Sequence, residues 1–331
     1  MLSLDPRLFD PAAIDPATHA ANEQIEKLLA ETPPLHQQTP QQIRAARASG
    51  QGAFGPIVRL PHAETRAIRG PAGEIPLRIF RPSKRSAQRA EGERSHGEIR
   101  GVYLHFHGGG YALGSEDMMD PALDTLANAA GVAVVSVGYR LAPEHPHPAG
   151  PDDCEAVALW LVEHARHEFG SERLAIGGES AGAHLSAITL VRLRDRHDAT
   201  PFRAANLVYG CYDLGLTPSA RNWGERYLIL STPIIEWFAG MWVPDRARRA
   251  DPDVSPLYAD LRGLPPALFS VGTLDPLLDD SLFMAARWAA AGNRAELAVY
   301  PGGVHGFNLF PLPLAKRANE RCHAFVAAAL G

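Results

Sequence analysis

The chain has 331 residues, 46% hydrophobic and 21% charged, a balance that excludes long disorder and fibrous architectures. Its formal net charge is -5, with no basic block outside a short polar run from Lys84 to Arg100, so nothing marks it for nucleic acid. Cys154, Cys211 and Cys322 stand far apart without disulfide or metal spacing, are read as packed thiols, and suit a reducing, cytoplasmic compartment.

The N-terminus, "MLSLDPRLFDPAAIDPATHA", lacks the basic start and apolar run of a signal peptide, and no apolar stretch approaches the length of a membrane span. An amphipathic segment at Ala21 to Ala30 and a helix opening at Thr39-Pro40, where threonine caps and proline fits the first turn, make residues 1–50 a helical segment. The runs "GPIVRL" and "EIPLRIFRP" read as strands that pair antiparallel, followed by the charged loop "SKRSAQRAEGERSHGE".

From residue 101 the pattern changes. The apolar runs "GVYLHF", "VAVVSV", "RLAIGG", "NLVYG", "ALFSV" and "ELAVY" alternate with helix-length segments, which predicts an α/β protein with a mainly parallel sheet covered on both faces. Residues 213–252 are too long for a simple crossover and read as an insertion. Within it "STPIIEWFAGMW" is apolar nearly all round, as expected of a helix lying over a greasy surface. The expected organisation is N-terminal cap helices over 1–50, a core over 51–212 and 253–331, and a cap insertion over 213–252.

Chemistry concentrates at "IGGESAGAHL". Gly178-Glu179-Ser180-Ala181-Gly182 fits G-x-S-x-G, with a strand before it and a helix, "AGAHLSAITLVRLR", after it. Small flanking residues let such a turn lift the hydroxyl above the sheet, and the helix N-terminus faces the developing negative charge. Oxyanion donors are at hand in His107-Gly108-Gly109-Gly110, directly after "VYLHF". A phosphate loop explains these glycines less well, because no G-K-[ST] follows and the dinucleotide spacing is imperfect.

A neutral serine needs a base held by a carboxylate. Asp275 follows the strand "PALFSV" in "GTLDPLLDD", while Asp279 and Asp280 read as charges in the first turn of the next helix. Among fourteen histidines, His305 alone follows a late strand, in the glycine-rich turn "PGGVHGF". His323 sits on the last helix and reads as structural. Ser180, Asp275 and His305 thus fall at the C-terminal ends of three strands, the edge where open α/β sheets build their sites. The H-x-H pairs His105/His107 and His145/His147 lack a carboxylate at ligand spacing, so no metal site is expected.

With "HGGG", "YRLAPEHP", "GESAG", "DPLLDD" and "HGF" in this order, the chain resembles the hormone-sensitive-lipase-like carboxylesterases of the α/β-hydrolase fold, from about Val102 to Phe307. The resemblance implies carboxylic-ester hydrolysis without a cofactor. It makes Ser180 the nucleophile, His305 the base and Asp275 its orienter, with the N–H groups of Gly108, Gly109 and Ala181 as oxyanion hole. It also implies a cap built from the N-terminal helices and the mid-chain insertion. Three positions depart from the family pattern: Glu179 where many relatives carry aspartate, Gly138 where aspartate is frequent, and His147 in place of phenylalanine. Tyr139 to Glu144 reads as structural.

The expected substrate is a short- to medium-chain ester, with Trp237, Phe238, Met241 and Trp242 either lining the acyl pocket or packing the cap. A lactonase or amidase would use the same triad. A non-catalytic binding protein on a hydrolase scaffold would have lost a triad member, and this chain retains all three. A homodimer is the default assembly.

Overall fold

The structure of the chain, a computed structural model, describes residues 3–51, 54–83 and 99–331. The polar loop expected over residues 84–98 lies outside the described residues.

Eight strands form one sheet: β1 (Glu64–Gly70), β2 (Gly73–Phe80), β3 (Val102–Phe106), β4 (Ala133–Val137), β5 (Leu174–Glu179), β6 (Phe202–Val208), β7 (Ala267–Leu274) and β8 (Ala295–Val304). Their order is β1-β2-β4-β3-β5-β6-β7-β8. Pairing is antiparallel at β1/β2 and β2/β4 and parallel from β4 through β8. Every residue of β3 and β4 is buried, the signature of strands covered on both faces.

The alternation of side chains along β3 sorts the core into two layers. Val102, Leu104 and Phe106 face α4 (Ala149–Phe169) and α5 (Ala181–His197), packing with Leu161 and Leu185. Tyr103 faces the other way, toward α3 (Asp120–Ala130) and α9 (Pro313–Leu330), with Leu123 and Val326. The α8 helix (Leu278–Ala290) buries Met284 and Trp288 in the first of these layers.

Two strand expectations are corrected. "GPIVRL" is not a strand: Val58 is 51% exposed, Pro56 and Pro61 withhold N–H donors, and the partner of β2 is instead the charged run "ETRAIRG". That run hides only Ile68 well, as an edge strand needs to, so it carries little apolar signal. "PGGV" is also no turn, because β8 continues through it to Val304. A Cβ on Gly272 would lie 1.9 Å from the Gly303 carbonyl oxygen, so these glycines let β7 and β8 close on each other where the register shifts.

The N-terminal helices lie above the carboxyl ends of the strands. Asp15 caps α1 (Pro16–Ala30), and the Asn22 amide donates to the Gly302 carbonyl at 2.8 Å. A reciprocal Thr39/Gln42 cap starts α2 (Pro40–Ala48). From α2, Arg44 reaches Glu144 at 2.8 Å and also donates to the carbonyls of Ala112 and Ala142. Residues 213–252 form the short helix α6 (Pro218–Asn222), α7 (Thr232–Trp242) and a 3-10 turn. The stretch before α7 shares an apolar cluster with α1, in which Leu228 and Ile229 meet Ile25 and Leu29.

One buried cation ties α5 to its surroundings. Arg192 on α5, 2% exposed, donates to Asp253 at 2.6 and 2.7 Å, Asp152 at 2.8 Å and Glu155 at 3.1 Å. Arg192→Ala leaves these carboxylates without their shared partner and is expected to lower unfolding free energy by about 3 kcal/mol, measured by denaturant titration.

The Arg44 pairing holds the Glu144 carboxyl down at about 2, below its ordinary 4.5. Because the folded value is depressed, this contribution is complete above about pH 4.5 and fades as pH falls toward 2. The melting-temperature gap between the native protein and Glu144→Gln should therefore be full at pH 6 and shrink between about pH 4.5 and 3.

Candidate active site

Ser180 sits between β5 and α5 with φ 57° and ψ -119°, a conformation that a non-glycine residue holds only when its surroundings enforce it. The enforcing contact is visible at the flanking glycines. A Cβ on Gly178 would fall 2.1 Å from the Phe106 carbonyl oxygen, and one on Gly182 would fall 1.8 Å from the same atom. The turn can press against the end of β3 only with hydrogen at both positions. Its backbone is then fixed by Ser180 N–H donating to Val208 at 2.9 Å and His184 N–H donating to Ser180 at 3.1 Å.

The sequence-derived residues meet here. Ser180 Oγ lies 2.8 Å from His305 Nε2, and His305 Nδ1 lies 2.9 Å from Asp275 Oδ2. An ionised Asp275 only accepts, so Nδ1 carries the proton and Nε2 is left to accept from the serine hydroxyl. Asp275, 1% exposed, is itself held by the Leu277 N–H at 2.9 Å to its other oxygen. The Tyr209 ring packs on His305 with centroids 4.7 Å apart.

The glycine loop after β3 arrives beside the serine. Gly108 faces Ser180 so closely that a methyl group on its Cα would lie 3.4 Å from the serine Cβ and 2.9 Å from the Glu179 carbonyl oxygen. Gly109 has φ 120° and a Cβ there would strike the Leu113 carbonyl at 2.2 Å, so the loop's path is available to glycine alone. His107 braces it: Nδ1–H donates to the Gly108 carbonyl at 2.8 Å, and the ring stacks on Tyr139 at 4.3 Å. Burial pushes His107 down to about 4, which keeps it neutral and unsuited to acid catalysis at neutral pH. Ala181 is the first residue of α5, where the N–H has no partner within the helix.

These groups open into a cavity of about 840 Å³ whose wall includes Ser180, His305, Gly108 and Gly109. Its lining is mostly apolar, drawn from α1, α2, the loop at Phe54 to Val58 and α7. Of the four aromatic and methionine residues singled out on α7, Phe238 lines the cavity, while Trp242 is buried against Tyr111 with centroids 4.0 Å apart. Trp237 and Met241 pack on the core without lining the cavity.

Sequence reasoning missed a second polar chain below the serine. His105, fully buried, has Nε2 2.8 Å from Glu179 Oε2 and Nδ1 3.0 Å from Ser136 Oγ. The longer carboxylate of Glu179 is what spans to the strand interior, and the only signal was a histidine placed in an otherwise apolar run. Asp279 and Asp280 do stand in the first turn of α8, yet Asp279 also accepts from the Ser219 N–H of α6 and Asp280 holds the loop after β6. Asp280 accepts from the N–H groups of Tyr212 and Asp213 and from Thr217, while burial pushes its carboxyl up to about 7. At Gly138, a side chain would meet the Glu116 carboxylate at 2.5 Å, so Glu116 fills the space an aspartate would take.

Removing the acceptor of a buried histidine costs on the order of 1–3 kcal/mol. Glu179→Ala is expected to destabilise the fold by about that much in thermal unfolding, and Glu179→Gln, which still accepts, by less.

Comparison with known proteins places this arrangement among relatives. The sequence pattern described as the alpha/beta hydrolase fold matches residues 103–309. A protein of Mycobacterium tuberculosis named carboxylic ester hydrolase LipN is 38% identical over 275 residues, covering 80% of this chain and 69% of that one. Ethyl acetate hydrolase of Pseudomonas putida is 34% identical, with 70% of this chain and 71% of that one covered. In three dimensions, a hyperthermophilic esterase from the archaeon Pyrobaculum calidifontis matches with TM-score 0.81 and 28% identity over 96% of this chain and 99% of that one.

Proposed function

The chain belongs to the hormone-sensitive-lipase-like carboxylesterase family of the α/β-hydrolase fold and is a carboxylic-ester hydrolase, and from that premise we propose that Ser180, His305 and Asp275 carry out its reaction. The observation that carries this reading is the hydrogen-bonded line from Ser180 Oγ through His305 to Asp275, at 2.8 and 2.9 Å, on the wall of an apolar cavity.

Ser180 attacks the ester carbonyl while His305 Nε2 takes its proton, and the alcohol leaves as His305 returns that proton to it. Water then attacks the acyl-enzyme with the same base. Asp275 holds the imidazole in the required tautomer and stabilises its charged form. The N–H groups of Gly108, Gly109 and Ala181 receive the oxyanion, and losing one such donor typically costs about 3 kcal/mol of barrier. The helices of residues 1–50 and the insertion at 213–252 serve as the cap, a role supported by their shared apolar cluster above the strand ends.

Short- to medium-chain esters are the favoured substrates, supported by the cavity's size and by the relative named for ethyl acetate. No helix among the described residues is long and apolar enough to cross a membrane. Cytoplasmic placement is supported by three buried, unpaired cysteines.

Purified protein assayed on p-nitrophenyl esters from acetyl to palmitoyl should release p-nitrophenol fastest from the shorter acyl chains. Ser180→Ala should lose nearly all turnover, by a factor of roughly 10⁴ or more. A folded Ser180→Ala protein with native rates would sink the proposal.

A further inference from the structure

Among the described residues three arginines line the active-site cavity, and they differ in one respect. Arg44 is occupied by Glu144 and two carbonyls. Arg59 is paired with Asp117. Arg47, in the last turn of α2, is half-buried and has neither a carboxylate nor a hydrogen-bond acceptor among the described residues.

The bland role for such a residue is to satisfy the end of its helix, and that role is already filled. Backbone N–H groups of Ser49, Gly50 and Gln51 donate to the carbonyls of Ala45, Arg47 and Ala46. The one side-chain carboxylate on the cavity wall among the described residues, Glu179, is engaged by His105. Arg47 therefore brings a positive charge, unmatched among the described residues, into a mostly apolar space shared with Ser180 and His305. Desolvation lowers its pKa, with the nearby Tyr227 opposing, yet a guanidinium remains charged at any physiological pH.

A desolvated cation without a counter-charge is unfavourable, and an anion supplied from outside relieves it. We propose that Arg47 is a specificity-determining residue that receives a carboxylate on one arm of the substrate, so that the preferred esters are those carrying a free carboxylate at the far end of an apolar arm. This rests on the serine-esterase reading above and adds the substrate class. The guanidinium fork takes both carboxylate oxygens, and the apolar part of the same cavity's lining, which includes Ile43, Leu35 and Phe238, suits the methylenes that join the two groups. The arm is either the acyl chain or the alcohol, and the test separates them.

Specificity constants are measured for matched esters with the native protein, Arg47→Gln and Arg47→Lys. On the acyl side, p-nitrophenyl butyrate is set against the p-nitrophenyl monoesters of glutarate, adipate and suberate. On the alcohol side, phenyl butyrate is set against 4-carboxyphenyl butyrate. The expected result is a tenfold or greater preference for the anionic ester on one side, carried by KM. That preference should disappear in Arg47→Gln and persist in part in Arg47→Lys. No preference in the native protein, or equal losses on neutral and anionic esters in Arg47→Gln, would overturn it. A separate readout does not require turnover: calorimetric binding of adipate to Ser180→Ala should be measurable and should weaken at least tenfold when Arg47→Gln is added. If no ester is cleaved while adipate binding depends on Arg47, the catalytic reading fails and the anion site stands; if esters are cleaved but adipate binding ignores Arg47, the reverse holds.

Discussion

The carbonyl of Phe106 is the point on which the active-site geometry turns. It ends β3, and the chain leaving β5 must pass within contact of it, at a separation that admits no side chain on Gly178 or Gly182. That closeness forces the reversal from strand to helix into so few residues that Ser180 takes a positive φ. The strain is repaid by the parallel pairing of β3 with β5 and of β5 with β6, which over-determines the path on both sides. A serine so placed has its hydroxyl outside the helix, in front of the glycine loop that the same β3 strand delivers.

The other two members of the line depend on a different close approach. β7 and β8 meet at Gly272 and Gly303, and the register shift there sets how far each strand runs before Asp275 and His305 begin. Asn22 of α1 then grips the Gly302 carbonyl just upstream of the histidine, so an N-terminal helix and His305 are mechanically linked. Asp280 fixes the loop that follows β6, the strand between the serine and the aspartate. The geometry of the proposed catalytic line is thus set by backbone contacts and buried carboxylates several residues away from Ser180, His305 and Asp275.

Much of this was legible in the sequence because the signals are local. Six apolar runs separated by helix-length segments are enough for a parallel sheet, and a G-x-S-x-G turn between a strand and a helix marks its own candidate nucleophile. What was not legible depends on distance in space. "GPIVRL" looks like a strand by composition, and only its prolines and its place on the cavity wall make it a loop. "ETRAIRG" looks like surface because, as an edge strand, it largely is. "PGGV" reads as a turn until Gly303 is seen to face Gly272 across the sheet. The His105–Glu179 contact and the lack of a partner for Arg47 among the described residues are properties of pairs and of missing pairs, which no single segment encodes.

The three cysteines have a consequence of another kind. Cys154 on α4 is fully buried, Cys322 is on the buried face of α9, and Cys211 lies at the cavity wall. Burial raises all three thiols, with Cys322 pushed up to about 11, so none presents a reactive thiolate to solvent in the folded state. The molecule therefore carries its own reporters of opening. Alkylation at Cys154 or Cys322 records breathing of the two helical layers, and alkylation at Cys211 records reagent entering the cavity, each readable by mass without introducing a probe.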